Sequence, residues 1–210
     1  MVKLKMYIDG FNLYHAIVAL NQPSLKWLNP IKLAESFLNK GEELRGVHFF
    51  TSIATDDGAK YKRHMNYLRA IQGVGVITHE GNFIRVDRVC QKMARRCSFK
   101  EEKRTDVSIA VKMLADAYAD AYDRLILVTA DSDQVPTIEH LKERFPEKHV
   151  TVAVPPERLN IARELCAAAD RHAELKASRL QACALPRNVY RGDGKFVATM
   201  PALYIDTADR

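Results

Sequence analysis

The stretch Leu125-Ile-Leu-Val-Thr-Ala130, set between Arg124 and the pair Asp131 and Asp133, constrains the fold of this chain most. A continuous apolar run bounded by charge is the pattern of a strand covered on both faces, the usual state of a strand in a parallel sheet. Val135, Ile138 and Leu141 then recur at helical spacing and predict an amphipathic helix. The two aspartates therefore sit where a buried strand hands over to a helix, at the rim where open α/β sheets bind ligands.

The rest of the chain repeats that alternation. Leu4 to Ile8 reads as a first strand, and Asp9-Gly10-Phe11-Asn12 as its exit into a helix carrying Leu13, Ile17 and Leu20. A loop from Pro23 to Pro30 holds the sole tryptophan, Trp27, read as a packing residue. A helix over Ile31 to Asn39 follows, then a strand over Val47 to Ala54, a turn at Thr55-Asp-Asp-Gly58, and a helix marked by Tyr61, Met65, Leu68 and Ile71. Gly73 to Thr78 reads as a strand that turns at Glu80-Gly-Asn82 into a second extended run, Phe83 to Cys90, a hairpin at a sheet edge. Thr105 is placed to cap a helix whose stripe is Val107, Ala110, Val111, Leu114, Ala117 and Tyr118. A strand over Val150 to Val154 and a helix over Arg158 to Ala169 complete an α/β domain, residues 1–170, with a mainly parallel sheet covered on both faces. Residues 171–210 read as an appendage packed on it, with Leu175, Leu180 and Leu185 against the core and a short hairpin around Gly192-Asp-Gly194.

With 210 residues, 47% of them hydrophobic, the chain is long and apolar enough for one substantial core and is no disordered protein. The N-terminus lacks a signal-peptide layout, and no run of about 18 uncharged apolar residues occurs. The expectation is a soluble cytoplasmic protein without a membrane partner. The four cysteines show no CxxC spacing, and Cys90 with Cys97 would make only half a zinc site, so reduced thiols are expected. Lys and Arg outnumber Asp and Glu by 32 to 26. Eight basic residues (Arg85, Arg88, Lys92, Arg95, Arg96, Lys100, Lys103, Arg104) against three acids in one short stretch supply most of that excess, either as a solvated loop or as a phosphate-binding surface beside the acids.

Those acids are Asp9 and Asp131, ending strands, and Asp106 and Asp133, opening helices; taken alone, Asp106 reads as a partner of the helix dipole. Neighbouring parallel strands could gather all four at one point of the rim. Two carboxylates about 4 Å apart repel by roughly 4 kcal/mol at the effective dielectric of a protein surface, so such a cluster takes up protons or a cation. Oxygen ligands without histidine favour Mg²⁺ or Mn²⁺ over zinc.

Three segments, Tyr7-Ile-Asp-Gly-Phe-Asn12, Glu101-Glu-Lys-Arg-Thr-Asp106 and Leu127-Val-Thr-Ala-Asp-Ser-Asp133, resemble the signatures of the NYN domain (the LabA/DUF88-like group) of the PIN-like nuclease superfamily. The resemblance runs from about Leu4 to Asp170. It implies a three-layer α/β/α sandwich of PIN-like (Rossmann-like) architecture and metal-dependent cleavage of RNA to a 5′-phosphate and a 3′-hydroxyl. By position, Asp9, Asp106 and Asp131 become the principal acids for Mg²⁺ or Mn²⁺, and Asp133 supports the metal. Asn12 would orient Asp9 or meet a phosphate, Ser132 would cap a helix or reach a phosphate, and Lys103 would offer charge to a phosphate or leaving group. Arg95, Arg96 and Arg104 are the further candidates for RNA contact, with Phe83 or Phe99 as stacking partners. Gln134 stands where the family often has an aromatic, and Asp170 near a common acidic position, where a surface or capping role is the expectation.

The competing reading is a non-catalytic RNA-binding or regulatory protein of the same fold, against which the presence of all four acids speaks. An acid-tipped strand also occurs in Toprim-like enzymes, but those expect a glutamate where Asp9 stands. Small-molecule chemistry is the remotest reading, since Gly73-Val-Gly75 lacks a third glycine and follows a helix. A homodimer through residues 171–210 is conceivable, although no heptad or clean stripe argues for it.

Overall fold

In the computed structural model, which describes the backbone of residues 1–53, 58–90 and 95–205 and side chains outside 82–103, the apolar runs align side by side. β1 (Val2–Asp9) lies between β2 (Glu42–Ile53) and β5 (Arg124–Val128), parallel to both. β3 (Ile77–Cys90), β4 (Arg95–Lys103), β6 (His149–Val154) and β7 (Arg171–Glu174) extend this into a seven-stranded sheet of order β4-β3-β2-β1-β5-β6-β7, antiparallel at the β3–β4 pair. From β1 the chain builds first toward β2 and β3, then returns to add β5 and β6 on the other side. The crevice between β1 and β5 is therefore the topological switch point, the place where an open α/β sheet leaves room for a ligand.

Alternate strand residues feed two cores, which makes the molecule a three-layer α/β/α sandwich. Leu4, Met6 and Ile8 face α1 (Gly10–Ala19), α2 (Pro30–Glu35), α3 (Gly58–Gly73) and α7 (Ala177–Ala182). Tyr7, Leu125 and Leu127 face α4 (Thr105–Tyr118), α5 (Val135–Arg144) and α6 (Arg163–Ala168). Trp27 is fully buried, and its indole N–H donates to the Pro186 carbonyl at 2.9 Å, so it is a packing residue as expected. Leu175, Leu180 and Leu185 are buried in the first core, and β8 (Asn188–Tyr190) with β9 (Phe196–Thr199) forms the hairpin around Gly192 to Gly194. Because β7 joins the central sheet, the sheet runs past Asp170. Asp170 itself accepts the Val150 N–H at 2.8 Å and pairs with Lys142 at 3.0 Å, tying α5 to β6.

Some local expectations are corrected. Gly81 and Asn82 make no turn: Thr51 to Ile53 of β2 pair in register with Glu80 to Asn82, so the strand continues, and the hairpin joins Ile77–Cys90 to Arg95–Lys103. The basic segment is thus largely a two-stranded edge rather than a loop. The expected helices over 31–39 and 158–169 shorten to Pro30–Glu35 and Arg163–Ala168. In α4 the cap position is Arg104, at φ 80°, and Thr105 is the first helical residue. Its inward stripe is Ile109, Met113 and Ala117, whereas Val107, Val111 and Tyr118 are 65%, 59% and 61% exposed. The reason is Asp116, whose carboxylate faces the sheet.

Asp116 is buried under β1, where it accepts hydrogen bonds from the Tyr7 hydroxyl at 2.7 Å, from Lys5 at 3.0 Å and from Lys112 at 2.8 Å. Burial alone would raise its pKa, but the bonds from Lys112, Tyr7 and Lys5 outweigh it and hold the carboxyl below its ordinary value. Next to it His48 stacks on Tyr7 with ring centroids 5.2 Å apart and shares a 3.0 Å hydrogen bond with His79. Burial, then the charges of Lys112 and Lys5, push the His48 pKa down to about 4. An unfolded histidine titrates near 6.5, so the stability held by neutral His48 is complete above pH ~6.5 and is lost as pH falls through about 4. The free energy of unfolding in urea should therefore fall by about 2–3 kcal/mol between pH 7 and pH 4.5. His48→Phe, which keeps the stacking, should flatten that slope; an unchanged slope would remove His48 from the account.

Candidate active site at the carboxyl rim

Asp9 is both the last residue of β1 and the N-cap of α1. The helix can start flush against β2 because Gly10 follows: a Cβ there would stand 2.5 Å from the Phe49 ring and 2.6 Å from the Phe50 carbonyl oxygen. Asp9 is 5% exposed; its Oδ1 accepts the Asn12 N–H at 3.0 Å and its Oδ2 accepts the Thr129 hydroxyl at 3.0 Å.

Thr129 joins the two strand ends. Besides donating to Asp9 it accepts the Asp131 N–H at 3.2 Å, and the Asn12 side-chain carbonyl accepts the Ala130 N–H at 3.1 Å. Two independent side-chain bridges thus cross the switch point from the first acidic strand end to the second. Asp131 Oδ1 accepts the Asp133 N–H at 3.0 Å, which makes Asp131 the cap of the 3-10 turn Ser132–Gln134. Asp133 is exposed in that turn and is not the cap.

The remaining acid arrives through Gln134. This side chain is 2% exposed, and its Nε2 donates to the Asp106 carbonyl at 3.0 Å, tying the first turn of α4 to the turn after Asp131. The Ser52 and Thr105 hydroxyls, 3.2 Å apart, fasten the same helix start to the end of β2. Asp106, Ser132 and Arg104 are exposed here. Lys103 follows in β4 opposite Asn82, with Arg95 and Arg96 at the strand's far end; the side chains of these three and of Phe83 and Phe99 fall outside the described residues, as do Asp56 and Asp57.

The rim thus brings Asp9, Asn12 and Asp131 into one bonded arrangement and sets Asp106 and Asp133 on the adjoining turns. Among the described residues, no group of three or more Asp, Glu, His or Cys side chains lies at metal-ligand spacing. The donors are all hard oxygens, a chemistry that fits Mg²⁺ or Mn²⁺. Sequence reasoning missed Thr129 and Gln134. A hydroxyl two residues before a strand-end acid was the available signal for Thr129; Gln134 showed only as the departure from an expected aromatic.

A mainly parallel three-layer sandwich with carboxylates at its switch point defines a PIN-like, nuclease-like fold. The sequence model of the NYN domain matches residues 3–176, and the chain belongs to that family. A protein of unknown function from Vibrio parahaemolyticus shares the fold, with a TM-score of 0.58 at 21% identity over 84% of this chain and 94% of that one. The chain is also similar to 6-hydroxy-3-succinoylpyridine 3-monooxygenase HspA of Pseudomonas putida, 25% identical over 224 residues, covering 89% of this chain and 71% of the relative. Among the described residues, no helix is long and apolar enough to cross a membrane.

Proposed function

We propose that the protein is a metal-dependent ribonuclease that hydrolyses RNA phosphodiester bonds at the β1–β5 crevice. The observation that carries this is the bridge Asp9–Thr129–Asp131, which fixes two acids across the switch point of a nuclease-like fold. Asp9, Asp106 and Asp131, with Asp133 beside them, would hold Mg²⁺ or Mn²⁺, which when bound supplies an activated water and charge stabilisation at the phosphate. Asn12 and Thr129 keep the Asp9 carboxylate in one orientation. Ser132, Arg104 and Lys103 would meet phosphate oxygens, and RNA, single-stranded or structured, would lie along the strand that holds Arg95 and Arg96.

Purified protein with Mn²⁺ or Mg²⁺ should cleave a labelled RNA mixture, cleavage should stop in EDTA, and Asp131→Asn should lose it. Undiminished cleavage by that variant, or none with either ion, removes this reading. Retained RNA binding without cleavage would instead support the non-catalytic RNA-binding alternative.

A second reading follows from the relative whose name states oxygenation of a succinoylpyridine. What favours it is an aromatic-lined cavity opening beside Gly10 and Ser52 on the same rim. Turnover of a hydroxypyridine acid, followed by chromatography, would tell it from RNA hydrolysis.

A further inference from the structure

Between α1, α3, the loop after α1 and the end of β2 lies a cavity of about 110 Å³. Its floor is aliphatic (Leu13, Ile17, Leu25, Leu28), and aromatic rings wall it: Tyr14, Phe49, Tyr67 and Tyr204. The walls are held in place. Tyr67 donates its hydroxyl to the Leu28 carbonyl at 3.0 Å, and its ring meets Phe49 edge-on at 5.9 Å between centroids. For comparison, an apolar protein cavity of about 150 Å³ encloses benzene; this smaller space opens to the surface, so a planar ring would enter it in part, with its substituents at the mouth.

Among the described lining residues the charges are of one sign. Lys26, Lys60 and Arg63 line the cavity together with His15 and His64, and no Asp or Glu appears among its described lining residues. Lys26 has its ammonium 5.9 Å from the Tyr14 ring centroid and 5.7 Å from that of Tyr204, without a carboxylate partner among the described residues. Arg63 lies beside the Tyr204 hydroxyl. Three cations around an apolar, ring-walled space are matched by a ligand with an aromatic body and an anionic group.

We infer that this cavity is a binding site for a planar heteroaromatic ring bearing an anionic substituent. The ring lies among Tyr14, Phe49 and Tyr67, and the anion meets Lys26, Lys60 and Arg63. Such chemistry comes from a nucleotide unit or from a free heteroaromatic acid. Gly10 and Ser52 belong both to the cavity wall and to the rim beside Asp9 and Thr105, so a nucleotide held here would have its neighbouring phosphodiester at the acids. That nucleotide form rests on the ribonuclease reading; the cavity's affinity for an anionic ring does not.

Titration calorimetry of the full chain in EDTA, with uridine monophosphate, adenosine monophosphate and pyridine-3-carboxylate against uridine, adenosine and pyridine, tests the site apart from any cleavage. At least one anionic probe should bind at least about tenfold more tightly than its neutral counterpart. Lys26→Met and Arg63→Met should each remove that advantage, while Asp9→Asn should keep it. Tighter binding of the nucleotides assigns the site to RNA, and tighter binding of the pyridine acid assigns it to a free heteroaromatic acid. Equal affinity of charged and neutral probes, no binding at all, or indifference to both substitutions in variants that melt like the parent overturns the inference.

Discussion

Asp9→Asn should lose RNA cleavage by about 10²–10³-fold or more while the protein stays folded, the scale on which removal of one positioned electrostatic group acts at an active site. The substitution separates two duties of one side chain. As an N-cap, asparagine serves nearly as well as aspartate, and its single carbonyl oxygen can accept either the Asn12 N–H or the Thr129 hydroxyl, which the carboxylate accepts together. The structural loss is thus one hydrogen bond, about 1 kcal/mol. What disappears is the negative charge at the end of β1. Parallel thermal melts and single-turnover cleavage with Mn²⁺ measure the two effects. If cleavage falls only in proportion to a large loss of folded protein, Asp9 is a cap and nothing more.

The largest effect on stability is expected at Asp116→Ala. The carboxylate receives Tyr7, Lys5 and Lys112 under the sheet, with His48 Nε2 at 3.7 Å, and is 6% exposed. Deleting it leaves a buried hydroxyl and two ammonium groups around an empty volume, a change that typically costs about 3–5 kcal/mol. Urea unfolding at pH 7 would measure this, and a loss below about 1 kcal/mol would show the cluster to be energetically idle. Replacing Asp116, Lys5 and Lys112 together by Leu, Met and Met should recover much of the loss, since a buried ionic cluster is often no more stable than a well-packed apolar one.

The parts of the fold legible in the sequence are those where local pattern and burial agree. The run Leu125 to Ala130 is covered on both sides and ends in acids, so its strand, its direction and its rim follow from composition alone. α4 defeated the same logic: its valines suggested a stripe, but the polar partner offered by Tyr7 and Lys5 turned Asp116 inward, and Val107, Val111 and Tyr118 outward. Only the contact between distant segments decides such a case. The hairpin was misplaced because Gly81-Asn82 carries turn chemistry that pairing with β2 overrides. β7, Arg-His-Ala-Glu, is too short and polar to announce itself. At the site, the positions of Asp9 and Asp131 were readable as strand ends, whereas Thr129 and Gln134 act through bonds to residues far along the chain.

The two borders of the sheet carry a consequence for the protein at high concentration. A sheet that ends in an unpaired strand offers its free amides and carbonyls to any neighbouring molecule, and the usual outcome is fibrous or amorphous aggregation. Here one border is Arg95 to Lys103, six of whose nine residues are charged (Arg95, Arg96, Lys100, Glu101, Glu102 and Lys103), and the other is four residues long. With four cations against two acids, the edges of two copies would meet with net like charge. The charge that would suit a polyanion thus also opposes the zipping together of copies of this chain.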